Sequence, residues 1–230
     1  MSDFRPIAHA AKSVDGAWRD PHDLAAHLAS VAAVAACFAR KFGAEDWAHL
    51  AGLWHDLGKY RPGFQAYIRL VADAHIEGKL PARSDKTHSA AGALHALHML
   101  TKNHGHEGEL AARLIAYVIA GHHAGLADWT AGLDARLLGT GAADARREYD
   151  EAHEACKSVA PELLMLPAAF DLHSALRAIP GATGGNPLAW SLWVRMLFSA
   201  LVDADFLDTE AFMNGDNDAA RDRFAPIGSY

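Results

Sequence analysis

The stretch Asp20–Gly43, DPHDLAAHLASVAAVAACFARKFG, reads as one amphipathic helix with its own start and stop. Leu24, His27, Leu28, Val31, Ala35 and Phe38 recur at three- and four-residue spacing, which lines them up as one buried stripe. Asp20 is expected as the N-cap, with Pro21 in the first turn and Asp23 as an early acid. Lys41 and Gly43 are expected to close the helix. The same period continues down the chain. A second helix is expected over about 45–57, with Trp47, Leu50, Ala51 and Trp54 inside and Gly58 as its stop. Pro62 opens a third, with Phe64, Tyr67, Ile68 and Val71 inside. After a polar loop over 75–85, helices are expected from about 87 to 102 and from 109 to 123, joined by the loop NHGHEG. Ala91 and Gly92 suggest close helix–helix contact. Residues 126–141 read as irregular. Helices resume at 142–159 and 162–178, and a last long one covers 188–212, capped by Asn186 and opened by Pro187. No segment alternates apolar and polar residues with β-branched enrichment, so no strand is expected. The pattern predicts an all-α fold, a single helical bundle over 18–212, after an N-terminal segment (1–17) and before a polar tail (213–230).

Length and composition agree with that. The chain has 230 residues, 51% hydrophobic and 21% charged, an ordinary globular balance with enough length for a sizeable core. No uncharged apolar run reaches about 18 residues, so no membrane-crossing helix is expected. The start, MSDFRPIAHAAKSVDG, lacks the pattern of a secretory signal. Two cysteines, Cys37 and Cys156, make no disulfide framework, and a cytoplasmic location is expected. The net charge of −7 is opposite to that of a protein binding nucleic acid through its own field.

The chain's 15 histidines are out of proportion, and histidine is the commonest metal ligand. The strongest local string is HDLGK, His55–Lys59. His55 and Asp56 lie at a helix end, where two adjacent side chains can converge on an ion beyond it. Lys59 projects from the same region toward where a phosphate oxygen would sit. Taken alone, such a His-Asp pair is equally well a helix-end hydrogen bond. It is accompanied by His27 on an apolar stripe, His88 at a helix start, His122 and His123 at a helix end, and acids within SALVDADFLDTE. An acid inside the apolar run Met196–Phe206 is costly to bury unless paired or metal-bound. Helical register puts Asp205 on the inner stripe and sends Asp203 toward Ser199 and Ala200. Asp205 is therefore the favoured ligand and Asp203 the alternative. His22 is a rival to His27. His49, His95, His98, His104, His106, His153 and His173 read as surface or packing residues.

The ordered set H…HD…H…HH…D resembles the HD-domain metal-dependent phosphohydrolases. HDLGKYRPGFQAYI, THSAAGALHA, IAGHHAGLADW and RMLFSALVDADFLDTE narrow the likeness. They are similar to the HD nuclease domain of the type I CRISPR-associated helicase-nuclease, over about 18–212. HD-x-G-K by itself marks only the superfamily; GHHAGL and LVDADFLDTE are much more specific. The resemblance implies two divalent ions. One would take His27, His55, Asp56 and the closing aspartate, Asp205 or Asp203. The other would take Asp56, His88, His122 and His123, with Asp56 as the bridge. It further implies cleavage of DNA, mainly single-stranded, with Asp56 and Lys59 in catalytic roles. Two divalent ions about 3.5–4 Å apart can activate water and steady a phosphodiester oxygen. Mixed imidazole and carboxylate ligation suits Mn, Fe, Co or Ni better than Mg.

No G-x-x-x-x-G-K-[ST] string occurs, so a helicase partner would be a separate chain or a missing domain. With an acidic balance, single-stranded DNA is expected to be delivered by that helicase and by the CRISPR effector complex on its target. Affinity would then come from effective concentration. No membrane partner is expected, and a monomer is the default. The alternative reading is an HD phosphohydrolase acting on nucleotides or other small phosphoesters. The histidines implied for the second ion weigh against it, and no GYP string follows the histidine pair. A non-catalytic module would leave a full ligand set without purpose.

Overall fold

The computed structural model describes residues 5–13, 15–72, 86–140, 142–180 and 186–214. Eight helices and one two-stranded sheet make up the described residues. They are β1 (Ile7–His9), β2 (His22–Asp23), α1 (Leu24–Ala39), α2 (Glu45–Trp54), α3 (Pro62–Ala72), α4 (Ser89–Gly121), α5 (Asp134–Leu137), α6 (Ala143–Val159), α7 (Leu172–Arg177) and α8 (Pro187–Met213). The all-α expectation holds, with the short sheet as the exception.

That sheet corrects the expected start of α1. His22 and Asp23 pair antiparallel with β1, Ile7 facing Asp23 and His9 facing His22. The backbone is thus extended at Asp23, which becomes the N-cap in place of Asp20 and accepts from Ala26 N at 2.9 Å. From there the stripe behaves as its spacing requires. Leu24, Leu28, Val31 and Ala35 have no exposed surface and pack toward α2 and α8. Leu24–Phe42 is, by length and composition, apolar enough to cross a membrane. Arg40 and Lys41 interrupt its end, so it is not an uncharged run. In this fold its apolar stripe forms core contacts instead.

α2 buries the expected face, and two tryptophans pin it. Trp47 Nε1 donates to Ala175 O at 3.0 Å and Trp54 Nε1 to Leu163 O at 2.9 Å. A buried indole so satisfied adds packing area without an orphaned donor. α2 ends at Trp54, and a 3₁₀ turn, Leu57–Tyr60, carries the chain to α3. In α3, Phe64 is buried while Tyr67 and Ile68 are half-buried; the side chain of Val71 and the 75–85 loop lie outside the described residues.

One further expectation holds and two need correction. The expected break at NHGHEG is present, though tighter than a six-residue loop: Ser89–Gly121 is two helices meeting at Gly105, whose φ of 57° and ψ of −137° are non-helical and open to glycine at little cost. Residues 126–141 are not all irregular, since Trp129–Leu133 form a π turn leading into α5. The helix expected over 162–178 splits into a 3₁₀ turn, Pro161–Leu164, and the short α7. Pro167, lacking a backbone N–H, lies in the gap. α8 starts as read, with Asn186 accepting from Leu188 N at 3.0 Å.

The layers follow from these faces. α1 and α2 pair, α8 crosses both, and α4 lies between α2 and α6. One core runs through all of them. Its centre is where the C-terminal end of α2, both ends of α4 and the middle of α8 approach one another.

Candidate metal centre

His55 and Asp56 reach the core because α2 stops there. His55 keeps helical angles as the C-cap, whereas Asp56 departs from them at φ −110°, ψ 19°. The turn that follows must pass directly under His88. A Cβ on Gly58 would overlap the backbone of His88, and one on Gly92 would overlap Trp54 O. These absent side chains bring α4 against α2, the contact that Ala91-Gly92 suggested. Buried Glu148 of α6 then accepts from Ala91 N at 2.9 Å, satisfying an orphan donor of α4's first turn. Arg61 donates to Thr87 O at 3.1 Å and to Glu151 at 2.9 Å. His88 is thus set at the start of α4 and His122 at its far end, both facing Asp56.

The result is two groups joined by one carboxylate. Asp56 Oδ2 lies 3.4 Å from both His27 Nε2 and His55 Nε2. Asp56 Oδ1 lies 3.4 Å from His88 Nε2 and 3.5 Å from His122 Nε2. Asp205 Oδ1 closes the first group at 3.4 Å from His27 and 3.6 Å from His55. His123 Nε2 closes the second at 2.6 Å from His88 Nε2. Ligand atoms within each group lie within 4.8 Å of one another.

The outward ring nitrogens are occupied. His55 Nδ1 donates to Gly52 O at 2.8 Å, His122 Nδ1 to Ile119 O at 2.6 Å and His88 Nδ1 to Lys86 O at 3.0 Å. His27 Nδ1 donates to Asp208 Oδ2 at 2.6 Å. Fixing the proton on Nδ1 leaves Nε2 of the neutral ring as an acceptor aimed inward, the arrangement metal-ligating histidines have. His27 Nε2, His55 Nε2, His122 Nε2 and Asp56 Oδ1 are buried without a hydrogen-bond partner, and Asp56 Oδ2 has the Lys59 ammonium beside it. Converging buried acceptors that one lysine cannot satisfy are costly. A cation is the partner they fit.

The titration behaviour separates the groups. Burial opposes charge on His27, but the neighbouring carboxylates of Asp205, Asp208 and Asp56 raise it to about 10. Burial likewise opposes charge on His55, and the Asp56 and Asp205 carboxylates raise it to about 9. The same carboxylates would draw a metal ion there. In the other group, burial dominates, lowering His88 to about 3 and His123 to about 4. Burial works against ionisation of Asp56, yet Lys59 and the surrounding histidines hold it well below the carboxylate range.

Lys59 is almost fully buried, with Nζ 2.6 Å from Asp56 Oδ2. Asp203 lies apart, exposed on another face of α8 beside Ser199 and Ala200. His22 is not on a helix but on β2, beside His27 rather than in place of it.

Three contributors went unread in the sequence. His9, on β1, lies 3.4 Å from Lys59 Nζ through Nε2 and 3.2 Å from His22 through Nδ1. Burial and the neighbouring Lys59 charge lower it to about 3. Neutral His9 accepts from Lys59 and passes its Nδ1 proton's hydrogen bond to His22, whose Nε2 lies 3.5 Å from Asp208. Gln65 fastens β1 to the 3₁₀ turn, accepting from Ile7 N at 3.0 Å and donating to Ile7 O at 2.9 Å and Lys59 O at 2.7 Å. Asp208 had a readable signal: it follows Asp205 by three residues, the spacing that shares a helix face. Nothing local tied residues 9 and 65 to position 59.

Compared with known families, the chain matches the HD domain of Cas3 over residues 10–201. No curated protein matches the chain. His9, Asp205 and Asp208 lie just outside the matched span.

Proposed function

The chain belongs to the Cas3 HD-domain family, a family of CRISPR-associated metal-dependent hydrolases, and on that premise we propose that it is a nuclease cutting single-stranded DNA at a dinuclear centre. The observation that carries this reading is the division of Asp56, one carboxylate oxygen to each histidine group. His27, His55 and Asp205 would hold one ion with Asp56, and His88, His122 and His123 the other. Two such ions would supply an activated water and a Lewis acid for a phosphoryl oxygen, and Mn, Fe, Co and Ni suit the donor set.

The chain's own residues do the rest. Asp208 orients His27, and the carbonyls of Gly52 and Ile119 orient His55 and His122. Asp56, Asp205 and Asp208 against Lys59 leave the cluster at −2 with neutral imidazoles; two divalent cations would make it +2, attractive to a phosphodiester. Lys59, steadied by His9 and Asp56, donates to a scissile phosphate oxygen as charge develops on it. His88 and His123 lie on the accessible side of the cluster, where a strand would approach.

The net charge of −7 makes unaided capture of DNA weak. We therefore assign delivery to a helicase, in a separate chain or a further domain, and to a target-bound CRISPR effector complex, in the cytoplasm. The test is metal-stripped protein resupplied with Mn, Co or Ni and mixed with circular single-stranded DNA, beside Asp56→Ala. Metal-dependent cutting that the variant loses supports the reading. Turnover of nucleotides with intact DNA, under confirmed metal uptake, refutes the nuclease and favours a small-molecule phosphohydrolase.

A further inference from the structure

α8 carries a second face, turned away from the metal centre. Leu188, Leu192 and Phe206 are exposed on it, at 80%, 61% and 64% of their surface. At about 100° per residue, Arg195, Ser199 and Asp203 fall on the same face, and all three are exposed. Phe38 and Phe42 form a facing wall, and the groove between measures about 570 Å³. Apolar exposure on this scale marks an interaction surface. Arg195 and Asp203 make no ion pair among the described residues. Eight residues apart, they are separated by about 12 Å along the helix, too far to pair with each other.

The order of side chains on this face is self-complementary. From Leu192 it runs apolar, positive, small, negative, apolar: Leu192, Arg195, Ser199, Asp203, Phe206. The two charges stand four residues either side of Ser199, and Leu192 and Phe206 stand seven either side. An antiparallel α8 from a second copy, related by a twofold axis at Ser199, would set Arg195 against the partner's Asp203 and Leu192 against the partner's Phe206. The twofold repeats both pairs. Ser199 and Ala200, at the crossing, are small enough for close approach.

We propose that this face is a homodimer interface, formed by antiparallel α8 helices crossing at Ser199. Charge complementarity, present only when the second helix is antiparallel and in this register, selects a second copy as the occupant. Asp205 lies about 200° around the helix from Asp203, so both metal centres stay open in the dimer.

Sedimentation equilibrium of the full chain with chelator, over about 1–100 µM, tests this independently of the metal centre. The expected species is twice 24.7 kDa. Arg195→Asp and Asp203→Arg, each placing like charges together twice, weaken the dimer about tenfold or more. The double reversal restores it. Circular dichroism melts confirm that these exposed-site variants fold. A 24.7 kDa species at every concentration overturns the proposal, as it would if the 215–230 segment or another chain covers the groove. So do single reversals that leave the dimer unchanged, or a double reversal that fails to recover it.

Discussion

Asp208→Ala isolates what the contact behind a metal ligand contributes. Asp208 touches no atom of the inward cluster except through His27, whose Nδ1 it holds at 2.6 Å. Removing the carboxylate frees the ring to rotate and makes Nε2 a weaker base. Losing such a supporting partner costs about 10- to 100-fold in metal affinity. That loss converts to a thermal shift by mass action. Metal at 100 times the wild-type Kd stabilises the folded state by about 2.7 kcal/mol, falling to about 1.4 kcal/mol for a tenfold weaker site and about 0.4 kcal/mol for a hundredfold weaker one. At about 2–4 °C per kcal/mol for a chain of this size, the metal-induced rise in Tm falls from about 5–11 °C to about 1–6 °C. Differential scanning calorimetry with Mn or Co against chelator reads it directly. Asp203→Ala, on the other face of α8, should match wild type. An Asp208→Ala protein whose metal-induced rise equals the wild-type value would refute the support assigned to Asp208.

Two further outcomes follow from particular contacts. His95 is buried against Trp54 and Tyr149, and burial lowers it to about 3. The unfolded chain therefore binds a proton below pH 6.5 that the folded one refuses. Stability is complete above pH 6.5 and falls as pH drops from there toward 3, by about 2 kcal/mol at pH 5. His95→Phe should remove that share, so urea midpoints at pH 5 and pH 7.5 lie closer together than in wild type; an unchanged gap counts against it. Gly58→Ala forces a Cβ into the His88 backbone. It should lower Tm and, because His88 moves from Asp56, reduce metal bound per chain by inductively coupled plasma analysis. A stable variant with full metal content would show that the approach is not needed.

Much of the helical architecture was legible because helices have a local cause. The stripe in α1, the Asn186-Pro187 start of α8 and the Gly43 stop need only residues three or four apart. The same locality explains why DPHD misled: Asp20 and Pro21 form an adequate helix start until β1, a dozen residues earlier, claims His22 and Asp23. NHGHEG, by contrast, marked the break between two helices correctly because it is polar and glycine-containing, and Gly105 alone carries the non-helical angles. Asp205 over Asp203 was readable from the helical period, since a core face is a property of a single helix.

Which residue types were available for chemistry, on which helices and in what order, is written in the order of the residues, together with the family likeness they carry. Tertiary structure alone decided how they divide. That Asp56 turns one oxygen to His27 and His55 and the other to His88 and His122 depends on where four separate elements meet. Their meeting depends in turn on side chains that are absent, at Gly58 and Gly92. The contacts behind Lys59 were equally out of reach. His9 comes to Lys59 through Gln65, across 50 and 58 residues of sequence. Hydrophobic period and capping act within a turn or two, whereas a buried polar group takes its partner from whatever backbone the packed core brings beside it.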